Sequence, residues 1–193
     1  MSIQIQAATP DQADQILCST VLAFSTDSFV RWAVPDPRQY LTRYPEVFKV
    51  FIDAAIKNRT AYFSQGFSGA AIWIRSDVDV DSEAIAVAIK NLGSSPLTDF
   101  MGELFEKFSA FHPAEQHWYM PLMGVDPICQ GQGIGSALLK YALEQCDRLK
   151  QPAYLEASSK QNRSLYERHG FETIGCIQVG TSPELFPMIR QPQ

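Results

Sequence analysis

Val125-Asp126-Pro127-Ile128-Cys129-Gln130-Gly131-Gln132-Gly133-Ile134-Gly135-Ser136 is the stretch whose reading decides the fold. An apolar run, His117 to Val125, ends there, and Ile134, Leu138, Tyr141, Ala142 and Leu149 follow at helical spacing. The order is therefore strand, glycine turn, helix. Glycines let such a turn bend tightly and approach a ligand closely. The free N–H groups of the helix's first turn carry partial positive charge, so Gln130 to Ser136 predicts a site for an anion such as a phosphate or pyrophosphate. A glycine-rich turn that binds nothing is the alternative. A P-loop needs a lysine that is missing after Ser136, and G-x-G-x-x-G fails from Gly131 (Ser136) and from Gly133 (Leu138). Glu156, about 20 residues on, keeps a dinucleotide reading open.

Downstream, Ala153 to Ala157 reads as a short strand and Asn162 to His169 as a short helix stopped by Gly170. Phe171 to Val179 and Leu185 to Arg190 read as two last strands. Upstream, Ile3, Ile5 and Ala7 alternate as a first strand. Thr9-Pro10-Asp11-Gln12 starts a helix with Ala13, Ile16, Leu17, Val21 and Phe24 on one stripe. Phe29 to Pro37 reads as an apolar loop, and Leu41, Tyr44, Phe48, Phe51, Ile52 and Ala55 as the face of a second helix. Ala61 to Phe63 and Ala70 to Ile74 flank Gln65-Gly66 as a hairpin, and Ser82 to Phe111 holds two helices broken near Gly93 to Pro96. Strands alternating with helices, with short hairpins, predict an α/β fold with a mixed sheet.

With 193 residues, 46% hydrophobic and 19% charged, the chain fits one domain, 1–193, and is not disordered. Its net charge of −5 argues against non-specific nucleic-acid binding. No apolar stretch reaches the ~20 residues of a membrane helix, and Met1 to Gln6 lacks the marks of a signal peptide. A cytoplasmic protein, with no membrane or nucleic-acid partner, is the expectation. The four cysteines make no C-x-x-C pair and there are three histidines, so no metal site is expected.

Val125-Asp126-Pro127 with Gln130 to Gly135 resembles the Q/R-x-x-G-x-G/A motif of the GNAT N-acetyltransferases. Leu165-Tyr166-Glu167-Arg168-His169-Gly170-Phe171-Glu172 resembles the family's second signature, a tyrosine followed shortly by Gly-Phe. The likeness covers roughly residues 117 to 173. Tyr154 to Ser158, the Tyr166 segment and Gly69 to Trp73 look most like the puromycin N-acetyltransferase branch. The resemblance implies a mostly antiparallel twisted sheet (α+β in layout) with two splayed parallel strands that hold acetyl-CoA. It places the pyrophosphate on Gln130, Gly131, Gln132, Gly133, Ile134, Gly135 and Ser136, and the pantetheine arm and thioester carbonyl on backbone groups of Met123, Gly124 and Val125. Asn162, four residues before Tyr166, is either a contact to the cofactor arm or a helix N-cap.

Acetylating an amine requires a neutral amine, donors for the thioester oxygen and a proton for the departing thiolate. By the resemblance, Tyr166 is the acid. Glu156, a carboxylate in a short apolar strand, is the base or a salt-bridged glutamate. Phe29 and Trp32, with Val34, Tyr40 and Tyr44, are expected in one wall of the acceptor site. Small amines are the leading acceptors. Protein or peptide amines, or an acyl-CoA sensor without catalysis, are the alternatives, in a monomer or homodimer. His112 and His117 read as surface residues, His169 as a partner of helix-end carbonyls, and Cys129 not as a nucleophile. Between residues 77 and 116 eight acids face Lys90 and Lys107, which makes that segment −6 and the remainder +1. The run is a solvated helical face, or, at the acceptor mouth, a lure for cationic amines.

Overall fold

A computed structural model describes residues 3–193; Met1 and Ser2, which open the stretch examined for a signal peptide, lie outside the described residues. Among the described residues seven strands form one sheet: β1 (Ile5–Ala7), β2 (Ala61–Ser64), β3 (Gly69–Arg75), β4 (Trp118–Val125), β5 (Ala153–Ala157), β6 (Glu172–Thr173) and β7 (Phe186–Arg190). They lie in the order β1-β2-β3-β4-β5-β7-β6, antiparallel throughout except for the parallel pair β4–β5. The helices are α1 (Ala13–Phe24), α2 (Ser28–Ala33), α3 (Pro37–Thr42), α4 (Pro45–Lys57), α5 (Ser82–Lys90), α6 (Pro96–Phe111), α7 (Ile134–Leu149) and α8 (Lys160–Glu167). The expected mixed, mostly antiparallel sheet flanked by helices is what is found.

β3 is buried on both faces and reads Gly-Ala-Ala-Ile-Trp-Ile-Arg, the near-continuous apolar run of a central strand. Ala70, Ile72 and Ile74 belong to a core with Ile16, Phe48, Ile52 and Leu104 from α1, α4 and α6. Ala71 and Trp73 face the other core, built on Leu138, Leu139, Ala142 and Cys146 of α7 with Trp118 and Leu155. Each fully buried Leu or Ile contributes about 1.5–3 kcal/mol, so both layers are needed.

Two expectations are corrected. Phe29 to Pro37 is not a plain loop. Asp27 caps α2 by accepting the Val30 N–H at 2.9 Å, and Asp36 caps α3 by accepting from Gln39 at 2.8 Å, with Pro37 at its first position. Pro45 then divides α3 from α4, so the expected second helix is two. Phe171 to Val179 is not a continuous strand. Only Glu172–Thr173 pairs with β7, and a single bridge joins Ile177 to Leu185. Phe111 of α6 occupies the place above Gly175, where a Cβ would stand 2.2 Å from its ring, and packing against the helix end interrupts the strand. The expected N-terminal capping box is found, with Thr9 as N-cap, Pro10 at the first position and Thr9 N–H donating to Gln12 Oε1 at 2.9 Å; Pro10–Gln12 forms a 3-10 turn that leads into α1.

Candidate active site

β4 and β5 pair only at Trp118–Ala153 and Tyr119–Tyr154, and then part. β4 continues to Val125 on β3, and β5 continues to Ala157 on β7. The β5-facing edge of residues 120–125 therefore has no strand partner. A parallel pair that separates leaves a slot with main-chain donors and acceptors on its wall. α1 closes the slot from one side. Gly124 permits this, because a Cβ there would lie 2.4 Å from the Ala23 Cβ.

The glycine turn caps the slot. Gly131 and Gly133 take φ of 75° and 85°, a region L side chains rarely adopt, and Gly133 is the residue from which α7 begins. Gln130 Nε2 donates to the Val125 carbonyl at 3.2 Å, which pins the turn to the end of β4. The Nδ1 of His169 donates to the Leu165 carbonyl at 2.9 Å, and its Nε2 lies in hydrogen-bond contact with Ser136 Oγ at 2.8 Å. Ser136 is left to offer its main-chain N–H outward. A cavity of about 630 Å³ runs along this surface, lined by Met123 to Val125, the turn, and Asn162, Leu165 and Tyr166 of α8. Arg168 is the cationic side chain on its wall, and composition did not single it out. Of the predicted cofactor residues, Gln132 alone is absent from that lining. Free helix N–H groups, two left-handed glycines, an arginine and an unpaired strand edge fit a phosphate-bearing ligand with an amide-containing arm.

A second, larger cavity of about 1120 Å³ lies on the α4–α6 side. Phe24, Phe29, Phe48, Phe51, Met101 and Phe105 are among its apolar walls, and α5 and α6, from the acidic 77–116 segment, supply a further wall, as the acceptor-mouth alternative for that segment expected. Five residues line both cavities: Phe24, Asp27, Met123, Asn162 and Tyr166. Glu156 lines the second cavity alone. Trp32, expected in the acceptor wall, is outside the lining. It packs behind Phe29 against Phe100 and donates from Nε1 to Thr181 Oγ1 at 3.2 Å. Tyr44 does line the cavity, whereas Tyr40 is buried in the core with its hydroxyl on the Val21 carbonyl.

The junction of the cavities is held by one network. Ser158 Oγ donates to Asp27 Oδ2 at 2.5 Å, and Asn162 Nδ2 donates to Ser158 Oγ at 3.2 Å. The cap of α8 is Ser159, which accepts from the Asn162 N–H, so the Asn162 side chain is not the cap and belongs to the junction. Tyr166 is buried, and burial followed by the nearby Asp27 charge raises its phenol well above the usual value. It therefore stays protonated at neutral pH.

Burial pushes the Glu156 carboxyl up to about 7, against the opposing pull of Tyr154 and Tyr119. Glu156 Oε1 and Tyr154 Oη are both buried without a hydrogen-bond partner among the described residues. The charge reading of residues 77–116 also narrows. Asp77 pairs with Arg75, Asp81 caps α5, and Glu103 pairs with Lys107 at 3.4 Å. Of the eight acids only Asp99 reaches the large cavity, and Lys90 lines it too.

Residues 97–173, which hold both sequence motifs and the splayed pair, match the acetyltransferase (GNAT) domain family model. That segment is similar to the GNAT acetyltransferases. An uncharacterized N-acetyltransferase of Schizosaccharomyces pombe is 33% identical over 82 residues, 41% of this chain. The match spans 33% of that relative's length. The GNAT fold extends over the whole chain. A Corynebacterium glutamicum structure described as histone acetyltransferase HPA2 and related acetyltransferase superposes with a TM-score of 0.71 at 24% identity, covering 100% of this chain and 98% of its own. The Drosophila melanogaster polyamine N-acetyltransferase gives 0.75 at 12% identity, covering 98% and 100%. Arylalkylamine N-acetyltransferase 2 of Aedes aegypti gives 0.66 at 16%, covering 100% of both chains. At such identities these likenesses concern the GNAT fold alone.

Proposed function

We propose that this protein transfers the acetyl group of acetyl-CoA to the primary amine of a small molecule with a largely apolar body. The observation that carries the reading is the meeting of two cavities at Tyr166 and Asn162, one built for a phosphate-bearing ligand and the other apolar with a single buried carboxylate, Glu156, at its inner end. Acetyl-CoA supplies an activated acyl group. The turn from Gln130 to Ser136, with Arg168, holds its phosphates, and the free edge of Met123 to Val125 orients the arm.

A free alkylammonium has a pKa near ~10.4, and an apolar cavity disfavours its charged form. Glu156, raised to about 7, then takes the proton at neutral pH. The neutral nitrogen attacks the acyl carbon directly, the C–S bond breaks as the protonated Tyr166 gives its proton to the departing sulfur, and the phenolate regains a proton from the attacking nitrogen as the amide forms. Asn162 stands in register with the puromycin-type branch, which supports grouping this chain with small-molecule enzymes. The largely apolar walls supplied by α4, α5 and α6 suit an amine with an apolar body.

CoA release from acetyl-CoA, measured with n-octylamine, 2-phenylethylamine, spermidine and N-terminal peptides, tests the reading. Turnover is expected with the apolar monoamines. Turnover with peptides alone overturns the small-molecule assignment, and acetyl-CoA binding without any turnover makes the protein a sensor.

A further inference from the structure

The inner end of the acceptor cavity holds more titratable chemistry than the transfer described above uses. Glu156 presents its side chain to the cavity, yet its buried Oε1 points to His112, whose Nε2 lies 3.7 Å away. His112 is the C-cap of α6, and its ring sits 4.7 Å from Tyr119, 4.6 Å from Tyr154 and 5.6 Å from His117, centre to centre. The Glu156 side chain is 7% exposed and that of His112 30%. The carboxylate thus has the cavity on one side and a part-exposed imidazole on the other. The expectation that His112 is a surface residue without a partner is corrected.

A proton must leave by some route. An ammonium nitrogen holds three protons; the amide product keeps one, the CoA thiol takes one through Tyr166, and one goes to water. Glu156 must shed that last proton before the next turnover, while bound substrate closes the cavity side. We propose that His112 takes this proton from Glu156 and passes it to solvent. The inference rests on the acetyl-transfer reading of the site.

The step involves no change of oxidation state. The O–H bond of the Glu156 carboxyl breaks as an N–H bond forms at His112 Nε2, and the imidazolium then gives a proton to bulk water. A distance of 3.7 Å closes by rotation of the carboxylate or through one bridging water.

The groups facing His112 are Glu156 and Tyr154 of β5, Tyr119 of β4, and His117 just before β4. Tyr119 and Tyr154 are raised by burial and by the Glu156 charge, so both phenols stay protonated and cannot accept a proton. Burial, then His117, lowers His112 to about 4, so it is neutral at rest and holds the proton only in transit. His112 acts through Glu156 and does not touch substrate.

The test uses the full chain with acetyl-CoA and 2-phenylethylamine at saturation, in the H112A and H112Q variants. Both are expected to lose about tenfold or more in kcat, with both KM values within about twofold and melting temperature unchanged. Added imidazole is expected to restore turnover of H112A while leaving wild type unaffected, a response that a purely structural role does not produce. Full kcat in either variant, or a loss that imidazole does not restore, overturns the relay. Wild type that releases no CoA with this amine overturns the underlying acetyl-transfer reading instead, and the relay with it.

Discussion

Ser158 Oγ donates a 2.5 Å hydrogen bond to Asp27 Oδ2, joining residues 131 apart in the chain. The bond ties the start of α2 to the end of β5 at the point where the two cavities meet, and Ser28 Oγ adds a 3.3 Å bond to the Ser158 carbonyl. Through Asn162 the same network reaches α8 and places Tyr166 between the two sites.

Asp27→Ala removes both this bond and the cap of α2. A lost cap costs about 1 kcal/mol and a lost charged hydrogen bond about 1.5–3. The expected result is a melting temperature lower by roughly 5–10 °C, with KM for acetyl-CoA and for amine each raised about tenfold and kcat within about threefold. Thermal melts and steady-state kinetics measure both; an unchanged pair of KM values removes Asp27 from the junction.

Tyr166→Phe keeps the ring that packs 6.0 Å from Phe171 and removes only the hydroxyl. Turnover is expected to fall about 10²-fold, with acetyl-CoA affinity within about twofold. Because burial raises the phenol, wild-type activity has no Tyr166 limb near neutrality. A calorimetric titration with acetyl-CoA separates lost chemistry from lost binding.

Glu156 gives the pH dependence. Its basic form is populated as pH rises through about 7, so kcat/KM is expected to climb there. E156Q is expected to lose about 10²-fold or more in kcat together with that limb. For stability the sign is opposite to that of an ion-paired carboxylate. A pKa raised on folding means that the native state holds the proton more tightly than the unfolded chain. This group therefore costs stability as pH rises from about 4.3, the unfolded value, through about 7. E156Q is expected to melt above wild type at pH 8 and level with it at pH 4; equal melting at both values would mean that the carboxyl is not held up by burial.

Gly124→Ala places a methyl 2.4 Å from the Ala23 Cβ. Neither backbone is free to give, so α1 must shift away from β4. The expected cost is about 1–3 kcal/mol, together with loss of detectable acetyl-CoA binding, read by thermal shift with and without acetyl-CoA. Gly102 is the control, since a Cβ there meets nothing within 4 Å.

The long elements were legible because their periodicity is strong. α7, α6 and β4 stand where their apolar spacing put them, and the turn at Gln130 to Ser136 was readable because Gly131 and Gly133 need conformations that other residues resist. The short helices α2 and α3 were not legible. Six residues give too few repeats for a helical period, and it is the caps Asp27 and Asp36 that define them. The break in the strand from Phe171 was hidden for another reason: it depends on Phe111, a residue 64 positions before Gly175, arriving above it.

The sequence by itself determined the glycine turn and the helix behind it, because local backbone preference and residue type suffice for those; Tyr166 and Glu156 were candidates, the first by resemblance and the second by its place in an apolar strand. Only the tertiary structure decided what surrounds them. The 3.7 Å approach of His112 to Glu156, the bond from Ser158 to Asp27, the exclusion of Trp32 from the cavity and the wall made by α5 and α6 each join residues distant in the chain. No spacing along a sequence encodes such contacts, since they follow from how helices settle on a twisted sheet and from which buried oxygen is left without a partner.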